Sequence, residues 1–136
     1  MMKLLIKNAL ILTVNQNNEV LENATIAVED GRMLAVGKVP ENFLPDKVID
    51  ATGQIALPGL INAHTHIPMS LFRNYADDLP FWQWLLEKMK PAEDHLSAEH
   101  AYWGAKLGVM ELIQSGVTCF SDMYFYMNEV ATVVKE

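Results

Sequence analysis

His64-Thr65-His66 is the triplet of this sequence with the most chemistry in it. In an extended strand, side chains at i and i+2 project to the same face, so two imidazoles at this spacing can turn toward one point. Imidazole is the commonest protein ligand for transition metals, and a pair at the C-terminal end of a strand can bind one divalent ion. On spacing alone a second interpretation stands beside it: two partly exposed polar residues where a strand meets a loop. The other candidates carry less. Asp77 and Asp78 are adjacent, so they do not share a face, and both fit a capping role. His95 and His100 lack metal-ligand spacing relative to each other and read as surface or capping residues. Asp122 follows a predicted strand, where a site role and a turn role fit equally. Cys119, the single cysteine, has no recognisable nucleophile context, and a buried strand thiol is mostly inert.

The elements around the triplet are of two kinds. Residues 3–7 and 9–14 are rich in Leu, Ile and Val, and Asn15-Gln16-Asn17-Asn18 closes them with turn chemistry. Residues 25–29 and 33–37 flank Asp30-Gly31, a hairpin pair favoured because both positions accept positive φ. Two more short runs cover 48–50 and 54–57. Short strands with turns this close together predict a β-sandwich or part of one. Pro58-Gly59 breaks the pattern, and residues 60–63 form a short apolar run that leads into His64.

Helical patterns dominate from there. Residues 80–89 carry Phe81, Trp82, Trp84, Leu85 and Leu86, with Pro80 suited to the first helical position. Ser97 is the expected N-cap of a long helix, Glu99 falls in its first turn, and Gly116 stops it. Trp103, Leu107 and Met110 at i, i+4 and i+7, flanked by Val109 and Ile113, predict its buried face. A strand over 117–121 and a helix over 128–135 follow. Strand, helices and strand after a break are the grammar of βα units on a parallel sheet. The expected division is 1–57 for the sandwich portion and 58–136 for the α/β portion.

Composition narrows the function classes. The chain has 136 residues, of which 51% are hydrophobic and 20% charged, an ordinary globular mixture rather than a disordered one. Ten Lys and Arg against 17 Asp and Glu give a formal charge of −7, which lacks the basic footprint of a nucleic-acid binder. No apolar run approaches the ~18–20 residues of a membrane span. One cysteine gives no internal disulfide, and residues 4–6 are cut short by Lys7 and Asn8 before any signal-peptide core forms. These features lead us to expect a cytoplasmic protein without nucleic-acid or membrane partners.

The stretch Ala56-Leu57-Pro58-Gly59-Leu60-Ile61-Asn62-Ala63-His64-Thr65-His66 resembles the signature of the amidohydrolase superfamily, where it marks the passage from a β-sandwich into the first strand of a (β/α)8 barrel. Asp30-Gly31-Arg32 and Val48-Ile49-Asp50-Ala51-Thr52-Gly53 resemble that family's sandwich turns. Downstream, Leu71-Phe72-Arg73-Asn74, Lys90-Pro91-Ala92-Glu93, Ser115-Gly116-Val117-Thr118 and Ser121-Asp122-Met123-Tyr124-Phe125 are similar to the branch that deaminates 5′-methylthioadenosine and S-adenosylhomocysteine. The resemblance runs from about residue 3 to about residue 127. It implies that His64 and His66 are zinc ligands, although two imidazoles suit Fe2+ or Mn2+ as well. It also implies that Glu93 holds the ribose hydroxyls of a nucleoside-type substrate, a task for which an ionised carboxylate suits a vicinal diol. The alternative for Glu93 is a solvated charge before a helix. Trp84 or Trp82 would offer an apolar wall to a purine, against the alternative that both fill a core.

The implied reaction is hydrolytic deamination at C6 of an adenosine-type substrate, giving the inosyl product and ammonia. The alternatives are a triazine chlorohydrolase, a guanine or cytosine deaminase-like amidohydrolase, or a non-catalytic truncated product. A (β/α)8 barrel takes about 250 residues, so the stretch from Pro58 to Glu136 holds one or two of the eight βα units. The third histidine, the metal-binding aspartate and the catalytic Glu and His of the family are not recognisable. The expectation is therefore the N-terminal part of an incomplete metal-dependent hydrolase barrel, inactive by itself, with homo-oligomerisation left open.

Overall fold

A computed structural model describes residues 2–136. The chain divides into two compact units, Met1–Pro58 and Gly59–Glu136. The first is built on β1 (Lys3–Leu12), β2 (Val20–Glu29), β3 (Arg32–Gly37), β4 (Lys47–Asp50) and β5 (Ile55–Ala56). They form one sheet in the order β3-β2-β1-β4, with β5 pairing farther along β1. β1 runs antiparallel to β2, whereas β4 and β5 run parallel to β1. The runs predicted over 3–7 and 9–14 merge into one strand that stops at Leu12, and the interruption at Asn8 is a slip of register. Its φ of 62° is a left-handed value that asparagine tolerates, and the pairing shifts between Ile6 and Ala9. Ala9, Ile11, Ala24 and Ala51 form the core of this unit, with Ile6, Leu21, Ile26 and Ala56 packed against it.

The second unit starts with β6 (Leu60–Thr65) and a 3-10 segment, Ile67–Phe72. Next comes a continuous helical run: α1 (Phe81–Gln83), a π stretch (Trp84–Met89) and α2 (Lys90–Glu93). α3 (Ala98–Gln114), β7 (Val117–Asp122) and α4 (Met127–Lys135) complete it. β6 and β7 pair in parallel, from Leu60 against Val117 to Thr65 against Asp122.

Two helix ends differ from the sequence expectation. Pro80 stands one position earlier than expected, as the N-cap, with an extended ψ of 143°. The helix then runs past Met89 to Glu93. Pro91 has no N–H to give the carbonyl of Glu87, and the backbone widens to π in the turn before it. Glu93 is thus the last residue of a helix.

α3 is capped as expected. The Ser97 hydroxyl accepts from the His100 N–H at 3.3 Å, and the Ser97 N–H donates to His100 Nδ1 at 3.2 Å. Its buried face is not the expected one. Ala101, Gly104, Ala105 and Gly108 are buried, while Trp103 and Met110 are 56% and 50% exposed. Small residues win because the 3-10 segment lies directly on the helix backbone. A Cβ at Gly104 would stand 2.6 Å from the Pro68 carbonyl oxygen, and one at Gly108 would stand 2.5 Å from Ile67 Cγ2. Ile67, Ala105, Val130 and Val133 form the core here, joined by Tyr102, Val109, Leu112, Phe120 and Met127. Arg73 adds a two-pronged ion pair to Glu111, at 2.8 and 2.6 Å. Among the described residues no helix is long and apolar enough to cross a membrane.

Candidate metal and substrate site

The parallel register of β6 and β7 brings the end of one strand beside the end of the other, and His66 lies immediately beyond. The residues on either side of it are held by Asp122. Asp122 Oδ1 accepts from the Ile67 N–H at 3.0 Å and lies 3.0 Å from the Thr65 hydroxyl. That hydroxyl also lies 2.9 Å from the Ser121 carbonyl, so its single proton serves one acceptor at a time. The Met123 N–H donates to the Thr65 carbonyl at 3.3 Å. The ambiguity left by sequence at Asp122 therefore resolves toward holding backbone. Its second oxygen, Oδ2, is buried without a hydrogen-bond partner.

His66 itself meets a carbonyl. Its Nδ1 lies 2.5 Å from the oxygen of Met123. A carbonyl can only accept, so Nδ1 carries the proton and Nε2 of the neutral ring keeps its lone pair. This is the arrangement in which an outer partner fixes the tautomer of a metal-binding imidazole. Nε2 of His64 lies 3.2 Å from Nε2 of His66, with the ring centroids 4.9 Å apart and the planes at 81°. Two nitrogens bound at 2.0–2.1 Å to one tetrahedral zinc stand about 3.3 Å apart. Spacing and tautomer both fit a shared ion. Without an ion, the same distance suits a hydrogen bond between the rings. Among the described residues no cluster of three or more His, Cys, Asp or Glu side chains gathers to hold a metal. A catalytic zinc normally takes three protein ligands.

Glu93 and His66 share a cavity of about 670 Å³ that is also lined by Met69, Trp84, Met123 and Tyr124. The carboxylate is half-buried, and its Oε1 accepts from the Tyr124 hydroxyl at 2.7 Å. Burial, then the hydrogen bond to Glu93 and its negative charge, push the Tyr124 phenol well above its usual value, so it stays a donor. The Tyr124 ring is 6.1 Å from that of His66. Of the two candidate tryptophans, Trp84 lines the cavity, and Trp82 is 68% exposed.

The remaining candidates lie elsewhere. Asp77 and Asp78 are exposed in a turn, His95 is exposed, and His100 is the N3 partner of Ser97 in the capping box of α3. Cys119 is exposed on β7, not buried as a strand thiol was expected to be. Sequence reasoning missed Tyr124 as a partner of Glu93 and the Met123 carbonyl as a partner of His66. No local pattern could have paired residues 31 and 57 positions apart.

Comparison with known proteins gives a consistent result. The Amidohydrolase family profile matches residues 55–136. The chain is 48% identical over 135 residues to the 5-methylthioadenosine/S-adenosylhomocysteine deaminase of Thermoanaerobacter pseudethanolicus, covering 99% of this chain and 31% of the relative. It is 47% identical to the 5'-deoxyadenosine deaminase of Methanosarcina acetivorans, covering 99% and 31%. The chain thus spans about a third of the length of these relatives. Among solved structures, an adenosine deaminase from Xanthomonas campestris with bound zinc superposes with a TM-score of 0.90 at 34% identity, covering 98% of this chain and 31% of that one. Atrazine chlorohydrolase from Arthrobacter aurescens, complexed with zinc, reaches 0.85 at 23% identity over 97% of this chain and 33% of that one, a likeness of fold. The family match covers more than half of the sequence and includes the strand, the histidine pair and the cavity just described, and the chain belongs to the amidohydrolase family.

Proposed function

We propose that this chain supplies part of the metal and ribose sites of a hydrolytic deaminase acting on an adenosine-type nucleoside of the 5′-methylthioadenosine or S-adenosylhomocysteine kind. His64 and His66 are two of the ligands of one zinc ion, and Glu93 takes the ribose diol. Residues 1–57 belong to the sandwich and 58–136 begin the barrel. The observation that carries this reading is the convergence of the two Nε2 atoms, 3.2 Å apart, at the rim of a cavity that also contains Glu93. The names and the 47–48% identity of the relatives support the substrate class.

Bound zinc supplies an acidified water and stabilises negative charge as it develops. The residues of this chain contribute orientation and binding. The Met123 carbonyl keeps the His66 proton on Nδ1 and leaves Nε2 free to ligate. Phe81, Trp84 and Phe125 give a flat heterocycle an apolar surface. Glu93 recognises vicinal hydroxyls, which a free base or a triazine does not have. The described residues offer two imidazoles and no third donor, so the 136-residue chain alone should bind zinc weakly and show no turnover.

The test has two arms, both on the protein as its gene encodes it. Zinc is titrated calorimetrically into the protein and into His66→Ala, and 5′-methylthioadenosine is incubated with zinc-loaded protein while ammonia is measured. His66→Ala should lose zinc affinity by at least about tenfold, since losing even an outer partner of a metal ligand costs about 10–100-fold. Unchanged zinc uptake in that variant would sink the metal reading. A Glu93→Gln variant that weakens adenine and adenosine equally would sink the ribose reading.

A further inference from the structure

Glu93 is the carboxylate among the described residues lining the cavity, and it sits on the final residue of the short helix α2. A glutamate there has three side-chain torsions and little local structure to restrain them. The restraint comes from another element. Tyr124, two residues beyond β7, donates its hydroxyl to Oε1 at 2.7 Å. Its neighbour Met123 accepts from His66, and the Tyr124 ring lies 6.1 Å from the His66 ring. One dipeptide therefore touches both halves of the site.

We infer that Tyr124 is a positioning residue that locks the Glu93 carboxylate toward a substrate cis-diol, and through it sets the preference for nucleosides that carry that diol. This rests on the ribose role of Glu93. An ionised carboxylate has about four lone-pair sites; the phenol takes one on Oε1, which leaves both oxygens able to receive a hydroxyl. A fixed carboxylate plane also avoids the loss of rotational freedom that binding a diol would otherwise entail.

The experiment uses the protein as its gene encodes it, stripped of metal with a chelator so that no nucleoside is consumed. Adenosine and 2′,3′-dideoxyadenosine are titrated calorimetrically into the unaltered protein, Tyr124→Phe, Glu93→Gln and the double variant, with near-ultraviolet circular dichroism as the check on folding. Tyr124→Phe should weaken adenosine about fivefold and leave the dideoxynucleoside within about twofold, the effect of one positioning hydrogen bond. In the Glu93→Gln background it should do nothing further. Equal losses for both nucleosides, or the same loss without Glu93, overturn the role of Tyr124. If Glu93→Gln discriminates the two ligands and Tyr124→Phe does not, only the positioning role falls. If Glu93→Gln fails to discriminate them, or the unaltered protein binds no adenosine at millimolar concentration, the ribose reading falls and takes this one with it.

Discussion

Replacing Asp122 with alanine tests how His66 is held in place. The Ile67 N–H next to it is on a residue only 6% exposed, and its acceptor is Asp122 Oδ1 at 3.0 Å. A hydrogen bond to a charged acceptor contributes about 1.5–3 kcal/mol net, and alanine leaves this donor buried with nothing to bond. The Thr65 hydroxyl adds little, because the Ser121 carbonyl at 2.9 Å remains available to it. One term opposes the loss. Asp122 Oδ2 is buried without a partner, so the native carboxylate carries a desolvation cost that alanine removes. The balance is a local destabilisation of roughly 1.5–2 kcal/mol. Since about 1.4 kcal/mol is a factor of ten in an equilibrium, the Ile67 amide should exchange with solvent about ten to thirty times faster. Native-state hydrogen exchange followed by NMR reads this amide directly and does not require the two units to unfold together. Asp122→Asn keeps an oxygen in the Oδ1 position and should cost less than half as much. If Ile67 exchange changes by less than about twofold in Asp122→Ala, or asparagine is as damaging as alanine, then Asp122 is not the clamp.

Two further outcomes follow from the packing and the charges. Gly104→Ala should destabilise the second unit by up to about 2 kcal/mol, since overpacking costs about 1–3 kcal/mol and the helix-propensity gain of alanine offsets about 1. The Cβ would lie 2.6 Å from the Pro68 oxygen, so the sign is opposite to that at an open helix position; a raised thermal midpoint would contradict the close approach. In the first unit, the hydroxyl of Thr52, then the Asn8 amide and the Thr52 N–H, hold the Asp50 carboxyl below its ordinary value of 3.8. A lowered folded-state value means the contribution is complete above that ordinary value and drains away as pH falls through the lower one. Urea midpoints measured between roughly pH 2 and 5 should therefore fall in acid, and Asp50→Asn should flatten that slope; an unchanged slope would remove Asp50 as its source.

What sequence made legible is local. The Asp30-Gly31 hairpin, the Ser97 cap and the strand before His64 each depend on residues within a few positions, and each is present. The buried face of α3 was misjudged because periodicity weighs the largest apolar side chains. Here the neighbour is a backbone, the 3-10 segment, and what matters is the absence of a side chain at Gly104 and Gly108. Trp103 and Met110 have the right spacing for a buried face but stay half-exposed among the described residues. The π widening is a similar case. Pro91 signals a helix boundary by itself, yet one turn of altered backbone lets the helix continue to Glu93.

The site follows the same division. His64 and His66 share a face because they are two residues apart, so sequence could pair them. Which nitrogen His66 can offer is decided 57 residues away, at the Met123 carbonyl. Where Glu93 points is decided 31 residues away, at the Tyr124 hydroxyl. Both partners follow directly on β7, whose pairing with β6 sets Thr65 against Asp122. A slip of one residue in that register would turn every β7 side chain to the opposite face. Met123 and Tyr124 would then no longer meet His66 and Glu93 in the same way. One register therefore governs both the tautomer of the imidazole and the aim of the carboxylate. A substitution that shifts the β6–β7 pairing should impair zinc affinity and diol discrimination together, whereas Tyr124→Phe should impair only the second.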